Sequence, residues 1–409
     1  MPESSARAAA AVAGRTAPLP RARPGSGSVP RWPVGSGLDA LPSTADGAGV
    51  WAALGAAGGV ARAYREGSVR AGVDPGGLGE VLGALDARFS IPATLSASVQ
   101  LATALPILAT GTGPAVEGLL ERAFAGRATV ALAATDATAG TDLTGLRTRA
   151  RIDADGVEVT GEKQWIANAT TAEAFLVLAR HREGRHFTHF SWILVPADAP
   201  GVRVRAAVSA LFAGSGAGHV ELDGVRLSRG HVVGRVGLGL PVFARHIATE
   251  RLAGALWGVA LCRRVLADTH RWLSGRAHGD DSLWALDSVR QRFAVCLVRA
   301  RELRALTDGL GEAVAVRHDT VAAATLKAAA GATVTHVLAE CAQLWGAAGF
   351  ATGGMQEIRA QAALFGIGGG ATEVVLDLVA EDAEGILADL APSGPLPGPL
   401  PGPPPGALS

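Results

Sequence analysis

An excess of charge of one sign is absent from this sequence. Its 37 Lys and Arg residues balance 37 Asp and Glu residues, and charged residues make up only 18% of the 409-residue chain. Such a chain has no broad electrostatic surface for nucleic acid or anionic lipid. Long apolar runs are also missing, since the run at residues 252–261 is about half the length that a membrane span needs. We therefore expect a small-molecule or protein partner, no nucleic acid and no membrane span.

Cysteine is scarce as well. Cys262, Cys296 and Cys341 are odd in number, widely spaced and outside any C-x-x-C arrangement. This pattern predicts buried apolar thiols in a reducing compartment, so we expect a cytoplasmic protein. The heavy use of Ala, Gly and Arg is typical of a GC-rich bacterial genome.

Several motifs are missing too. The chain has no P-loop, no G-x-S-x-G nucleophile motif and no G-x-G-x-x-G after a strand. His181, His186 and His189 flank a predicted hairpin turn, and no cysteine or carboxylate cluster completes a ligand set. We therefore expect no metal site.

The apolar pattern predicts an α+β multidomain protein. Residues 1–45 and 391–409 are rich in Pro and Gly and are expected to be a disordered leader and tail. Residues 46–127 show helical patterns, interrupted by a turn at "DPGGLG", residues 74–79. Residues 128–235 contain short Val-, Ile- and Leu-rich runs that predict an antiparallel sheet or small barrel. Residues 236–390 are helical throughout, which predicts a C-terminal helical bundle.

One carboxylate interrupts an apolar helix face. Phe243, Ile247, Glu250, Gly254, Trp257 and Leu261 follow each other at helical spacing. A carboxylate on a buried stripe has a raised pKa and can act as a general base, which His246 one turn earlier could tune. Two other interpretations stay open: Glu250 and Arg251 form a surface charge pair, or Glu250 belongs to a structural buried ion pair.

Five segments occur in the order and spacing of one enzyme family. They are "ALAATDATAGTDLTGLRTRA" (131–150), "GEKQWIANA" (161–169), "ERLAGA" (250–255), "QLWGAAGF" (343–350) and "IGGGATEV" (367–374). Together they resemble the acyl-CoA dehydrogenases over roughly residues 46–388. The resemblance implies an N-terminal helical domain, a middle β domain and a C-terminal four-helix bundle.

The resemblance also implies FAD-dependent α,β-dehydrogenation of an acyl thioester. A carboxylate removes the α-proton, the β-hydrogen leaves as hydride to flavin N5, and donors hold the thioester oxygen. In many members the base stands at the position of Gly369. In a smaller set, similar to isovaleryl- and long-chain-specific enzymes, it precedes an Arg on a long helix, which implies Glu250 here. The Gly369 N–H is then expected to bind the thioester oxygen.

Other roles transfer from the resemblance one position at a time. Thr141, Arg251 and Gly368 are expected at the substrate. The residues expected to bind FAD are Thr135, Trp165, Ala167, Arg276, Gln343, Leu344, Gly346, Ala347, Thr372 and Glu373. Residues 343–347 would receive the FAD adenosine diphosphate from a neighbouring subunit, which implies a homodimer or homotetramer. The acyl carrier is CoA or an acyl-carrier protein, and the electron acceptor is an electron-transfer flavoprotein or O₂.

Some family positions differ in this chain. Ala167 replaces the usual Thr or Ser beside flavin N5, and Ala248 replaces an Asp that commonly touches pantetheine. These differences keep two other hypotheses open. One is a flavin-dependent monooxygenase on the same fold, which needs no α-proton base. The other is a degenerate partner subunit that binds little or no FAD.

Overall fold

The structure, a computed structural model, describes residues 37–140 and 142–390. Helices, then a sheet, then helices follow each other as predicted. The predicted tail and most of the predicted leader lie outside the described residues. The fold begins before the expected boundary at residue 46, because Leu38 in the first helix is only 2% exposed and belongs to the core.

Seven α-helices lie in the described part of the N-terminal region, from residue 37 onward. They are α1 (Gly37–Ala40), α2 (Gly47–Ala56), α3 (Gly59–Arg62), α4 (Pro75–Arg88), α5 (Ile91–Val99), α6 (Leu105–Leu108) and α7 (Pro114–Phe124). A π turn at Gln100–Ala104 joins α5 to α6 without a break. The predicted turn at residues 74–79 is instead the start of α4, since Asp74 caps it by accepting from the Gly77 N–H. A Cβ at Gly77 would lie 1.8 Å from the Arg62 carbonyl oxygen, so this close approach requires glycine.

The middle region is an eight-stranded mixed sheet. Its strands are β1 (Val130–Ala133), β2 (Arg149–Ile152), β3 (Val157–Ile166), β4 (Ala174–Arg180), β5 (Phe190–Pro196), β6 (Val202–Ala206), β7 (Gly218–Leu227) and β8 (Val232–Val233). The order is β6-β7-β3-β2-β4-β5-β8, with β1 beside β4. Most neighbours are antiparallel, as expected, but β4 pairs in parallel with both β1 and β2.

The central strands are buried on both faces. On β4, Leu176 and Leu178 join the core shared with the helices, whereas Phe175 and Val177 join a second core on the opposite face. Alternate side chains of a strand point to opposite faces, so β4 reads as a continuous apolar run. The sheet therefore holds the helical regions on one side only.

Three long helices and several short ones follow the sheet. The long ones are α8 (Gly239–Gly275), α9 (Asp287–Arg317) and α10 (Thr320–Trp345), and the short ones are α11 (Met355–Ala362), α12 (Leu364–Ile367), α13 (Thr372–Glu381) and α14 (Ala383–Asp389). A small hairpin of β9 (Ala277–His278) and β10 (Asp281–Ser282) separates α8 from α9. The last quarter of the predicted bundle is thus divided into short helices, and glycines occupy the gap between α12 and α13.

Two observations bear on the composition-based expectations. Cys262, Cys296 and Cys341 are free and buried, as predicted. By length and composition alone, three described helical stretches are apolar enough to cross a membrane, at Ile91–Leu108, Thr320–Phe350 and Met355–Glu381. The first is 89% buried inside the fold and the last only 17%. The expectation of no membrane span remains a prediction.

Candidate active site

Glu250 lies in the middle of α8 among buried neighbours. Ala248, Thr249 and Leu252 are at most 2% exposed, while Glu250 itself keeps part of its surface accessible. The surrounding protein desolvates the carboxylate and raises its pKa above 4.5, and Thr103 and Arg251 oppose that shift only partly. A carboxylate held this way is a stronger base than one in water.

Arg251 joins this helix to the glycine segment, which we define as residues 366–370. Its Nε donates to the Gly369 carbonyl at 3.0 Å, and desolvation lowers the pKa of its guanidinium. Both Glu250 and Arg251 are desolvated, and desolvation affects their pKa values more than their mutual attraction does. The surface charge pair is therefore wrong. The two alternative base positions of the resemblance lie on elements that touch each other.

The glycine segment leaves a free donor. Gly369 has a φ of 74°, in the left-handed region, where glycine is the favoured residue. Its N–H has no acceptor among the residues at 37–140 and 142–390. An unpaired N–H on a segment that contacts the helix of a candidate base is the kind of group that can bind a carbonyl oxygen on which charge develops.

A buried lysine holds both ends of the glycine segment. Lys327 on α10 is 4% exposed, and its Nζ donates to the Gly366 carbonyl and to the Thr372 Oγ1, each at 2.8 Å. Thr372 also donates to Gly366 at 3.0 Å. Desolvation, with repulsion from Arg251, lowers the pKa of Lys327 to about 8. Lys327 thus fixes where the glycine segment stands.

Sequence reasoning missed Lys327, although a signal exists. It is the only Lys, Arg, Asp or Glu between residues 320 and 339, in a helix otherwise rich in Ala, Val and Thr. A lone charge in such a helix needs a buried partner. The partners, two groups about 40 residues further on, follow only from the fold.

The π turn packs against α8 from the other side. Thr103, fully buried in this turn, donates to the Val99 carbonyl at 2.8 Å and forms a side-chain hydrogen bond with Glu250. Gln100 in the same turn accepts from the Val130 N–H at 3.0 Å, at the start of β1. Such turns occur frequently at functional sites. This one links the Glu250 helix to the sheet.

Thr135 and Trp165 lie side by side at the end of β3, and we call this pair the flavin wall. Thr135 Oγ1 donates to the Gln164 carbonyl at 2.9 Å, and Trp165 follows directly. Trp165 has a φ of 56° and is 61% exposed, which is unusual for a large aromatic residue. Ala167 lies in the turn after β3 and is half-buried. Strained, exposed aromatic residues of this kind cluster at binding sites.

The turn after β3 connects the flavin wall, Thr135 and Trp165, to the helix whose π turn contacts Glu250. Asn168 in this turn has a φ of 66°, and its amide exchanges two hydrogen bonds with Ser96 on α5. Beneath the wall, the buried Lys163 donates to the Ala134 carbonyl at 2.9 Å, and desolvation lowers its pKa to about 7. The helix that contacts Glu250 thus also supports the Trp165 turn.

A second group of predicted residues lies far from this site. Arg276 stands over the ring of Trp272 at 5.5 Å, and Trp272 stacks on Trp345 at 4.7 Å between centroids. Trp345 is surrounded in sequence by Gln343, Leu344, Gly346 and Ala347, of which all but Leu344 are exposed. Arg276 is 26 residues after Glu250, about 39 Å along a helix at 1.5 Å per residue. The structure therefore joins these five residues to each other but not to Glu250.

Of the remaining predicted site residues, some lie beside the glycine segment and others do not. Thr141 lies outside the described residues. Gly368 ends α12 beside Gly369, whereas the Thr372 hydroxyl is taken up by Lys327 and Glu373 is exposed. His246 packs edge-on against His318, and burial lowers its pKa to about 4. The tuning of Glu250 by His246 stays a prediction.

Comparison with known proteins agrees with this layout. Profiles of the acyl-CoA dehydrogenase middle and C-terminal domains match residues 131–225 and 237–383. The chain is 27% identical over 288 residues to the acyl-[acyl-carrier-protein] dehydrogenase MbtN of Mycolicibacterium paratuberculosis, covering 68% of this chain and 71% of the relative.

Solved structures agree on the fold. Butyryl-CoA dehydrogenase from Megasphaera elsdenii superposes with a TM-score of 0.77 at 19% identity, over 84% of this chain and 91% of that one. The FAD complex of PigA gives 0.76 at 18% identity, over 83% and 90%.

Proposed function

Because the chain belongs to the acyl-CoA dehydrogenase family, we propose that it is an FAD-dependent oxidoreductase that desaturates an acyl thioester, with Glu250 as its base. The observation that carries the role of Glu250 is the contact of its helix with the glycine segment. Arg251, the residue after Glu250, bonds the Gly369 carbonyl, so the helix with the raised-pKa carboxylate contacts the residue that has the free backbone N–H.

The residues present fit a flavin. Trp165 offers an exposed indole face and Thr135 a hydroxyl at the edge of the sheet, and a Cβ at Gly254, one turn after Glu250, would meet no atom within 4 Å. Thr135 and Trp165 would hold the ring system. Bound FAD supplies the two-electron oxidant that takes the β-hydrogen with its electron pair.

The chain's own groups carry out the other half of the reaction. Glu250 accepts the α-proton, and the Gly369 N–H donates to the thioester oxygen as the electron pair of the broken C–H bond moves toward it. Lys327 and Arg251 keep that N–H in place through Gly366 and the Gly369 carbonyl. The monooxygenase alternative needs no base and leaves the raised pKa of Glu250 without a role.

The finer assignments belong to the same proposal. The similarity to MbtN supports an acyl-carrier protein as the thiol carrier, with CoA as the alternative. The distance between Glu250 and the Arg276 group supports a homo-oligomer in which that group serves the cofactor of another subunit. Free buried cysteines support a reducing, cytoplasmic location. An electron-transfer flavoprotein or O₂ would reoxidise the flavin.

The test is anaerobic bleaching of the flavin by acyl thioesters. Glu250→Gln keeps the shape but cannot accept a proton, so the rate should fall about 10²–10⁴-fold, the usual contribution of general base catalysis. Flavin content should stay unchanged. Wild-type kcat/KM should fall as the pH drops through the raised pKa of Glu250, because only the ionised carboxylate accepts a proton.

Glu302→Gln, which changes an exposed acid on α9, is the matched control and should behave as wild type. Bleaching by Glu250→Gln at the wild-type rate would eliminate Glu250 as the base. A purified protein that takes up no flavin would instead favour the partner-subunit alternative.

A further inference from the structure

A cleft of about 560 Å³ opens on the β domain, and none of its lining residues belongs to α8, the helix of Glu250. It is lined by Gly145, Leu146, Arg147, Arg149, Arg180 and Arg185. We call it the arginine cleft. Four guanidinium groups around one cleft stand out in a chain whose net charge is zero. Nothing in the proposed mechanism uses them.

The sheet builds the arginine cleft. Strands β2 and β4 run parallel, and Arg149 is the register partner of Arg180. Partners on neighbouring strands point to the same face, which brings two like charges side by side. Arg147 precedes Arg149 by two residues, and Arg185 comes from the connection between β4 and β5. Like charges in such positions repel each other, and an anion in the cleft would relieve that repulsion.

The charge of the cleft is only partly neutralised. Arg185 pairs with Asp142 at 2.5 Å, and Arg149 is 3.4 Å from Glu183. These two carboxylates leave two of the four guanidinium groups without an acidic partner.

Those two groups are Arg147 and Arg180. Within the described part of the chain, the Arg147 side chain has no hydrogen bond and no ion pair. Arg180 donates through Nη2 to the Thr144 carbonyl at 2.9 Å, but its Nε is buried with no acceptor. Its guanidinium is held over the Phe190 ring at 5.5 Å. Such a donor is satisfied by a water or an ion, and a charged acceptor forms the stronger hydrogen bond with a guanidinium.

The cleft and the proposed flavin wall share one loop. The Arg147 N–H donates to the Asp136 carboxylate at 2.7 Å, and Asp136 follows Thr135. A ligand in the arginine cleft therefore lies one loop away from Thr135, whose hydroxyl bonds the carbonyl of the residue before Trp165. A substrate with its acyl end at Glu250 and its carrier outside needs an exit of this kind.

We propose that the arginine cleft binds phosphate groups of the thiol carrier to which the acyl group is attached, and so selects phosphorylated carriers. This rests on the proposed function, since it assumes an acyl thioester substrate. Guanidinium groups bind phosphate through two parallel hydrogen bonds, which makes arginine better suited than lysine. CoA and an acyl-carrier protein both carry phosphorylated pantetheine, so the shared chemistry is a phosphoester.

The test compares one acyl group on four carriers: pantetheine, 4′-phosphopantetheine, CoA and an acyl-carrier protein. The double variant Arg147→Gln/Arg180→Gln removes both unpaired guanidinium groups. Its kcat/KM should fall at least tenfold on phosphorylated carriers, because hydrogen bonds to charged groups correspond to about 10–150-fold each. On acyl-pantetheine it should stay within about twofold of wild type.

The control and the carrier comparison make the result specific. Arg205→Gln, which changes an exposed arginine on the edge strand β6, should leave all four substrates unchanged. A loss on acyl-CoA alone would support the proposal and assign the cleft to the nucleotide phosphates of CoA, whereas a loss on the carrier protein alone would overturn it, because the phosphoester would then play no part. An equal loss on acyl-pantetheine, or no loss on any phosphorylated carrier, would overturn the proposal.

Failure of the proposed function gives a different result. If wild-type protein oxidises none of the four thioesters, including acyl-pantetheine, the dehydrogenase assignment falls. Calorimetric titration with CoA and with 4′-phosphopantetheine then tests the cleft directly. At least tenfold weaker binding by the double variant supports it, and equal affinity or no binding to wild type overturns it.

Discussion

Replacing Lys327 by methionine removes the ammonium group that joins Gly366 to Thr372 while keeping a side chain of similar length. The Gly366 carbonyl keeps one donor, since Thr372 Oγ1 lies 3.0 Å away. The substitution therefore leaves no backbone acceptor without a partner. It changes how firmly the glycine segment is held.

The effect on stability should be small, because two contributions oppose each other. Two hydrogen bonds from a charged donor contribute about 3–6 kcal/mol together. Burial lowers the pKa of Lys327 to about 8, because desolvation of the ammonium group offsets part of that contribution. The variant should therefore lose less than that sum and remain folded, with a slightly lower Tm.

The effect on turnover should be larger. Misplacing a catalytic group by about 1 Å can lower a rate about 100-fold. We expect Lys327→Met to lower kcat/KM 10–100-fold through the position of the Gly369 N–H. Because the pKa of Lys327 is about 8, wild-type kcat/KM should also fall as the pH rises through that value and the ammonium loses its charge. That alkaline limb should be missing from the variant.

The assay is a pH series of anaerobic flavin reduction, together with thermal unfolding. Thr325→Val is the matched control, because it removes only a hydroxyl that bonds the Val321 carbonyl of the same helix. The reasoning is refuted if Lys327→Met keeps wild-type kcat/KM. It is also refuted if the alkaline limb persists in the variant.

Three further substitutions test other parts of the structure. Trp165→Ala should leave Tm almost unchanged, since the side chain is 61% exposed, but should lower the flavin content measured by the ratio of absorbance at 450 and 280 nm. Gly369→Ala should cost about 1–2 kcal/mol for a left-handed φ and bring a methyl group to 3.4 Å from Arg251 Cγ, so bleaching should slow while flavin stays bound. Asp86→Ala should lower stability by about 3–5 kcal/mol in denaturant unfolding, because Arg264 loses its buried partner at 2.7 Å. Each prediction is contradicted by a wild-type value: of flavin content for Trp165→Ala, of bleaching rate for Gly369→Ala, or of unfolding free energy for Asp86→Ala.

Much of the fold could be predicted from periodicity. Strand-like runs were expected at β1, β2, β3, β4, β5 and β7, and each is a strand, because Val, Ile and Leu pack on both faces of a buried sheet. The edge strand β6 was missed, since four of its five residues are exposed and two are arginines. An edge strand without an apolar face lacks the alternation of apolar and polar residues by which a strand is predicted from sequence.

The parallel pairing of β1 and β2 with β4 was not predictable either. Short neighbouring strands favour antiparallel hairpins, and the sequence contains no helical crossover between β1 and β4. The pairing Val130 to Ala174 depends on a long-range contact, helped by Gln100, which binds the Val130 N–H. A contact between residues so far apart in sequence cannot be predicted from local sequence patterns.

The stripe on α8 predicted that Glu250 faces inward, but burial alone gives only the direction of its pKa. Thr103 forms a hydrogen bond with Glu250 and Arg251 attracts its carboxylate, while Lys327 and Gly369 act one step further out, through the glycine segment and Arg251. Lys327 touches the glycine segment and repels Arg251, which in turn bonds Gly369, so none of the three groups can move without shifting the others. The position of the Gly369 N–H therefore depends on the helix that carries Glu250 as well as on Lys327. This predicts that Arg251 and Lys327 substitutions are not additive, whereas either combined with Arg205→Gln should be additive.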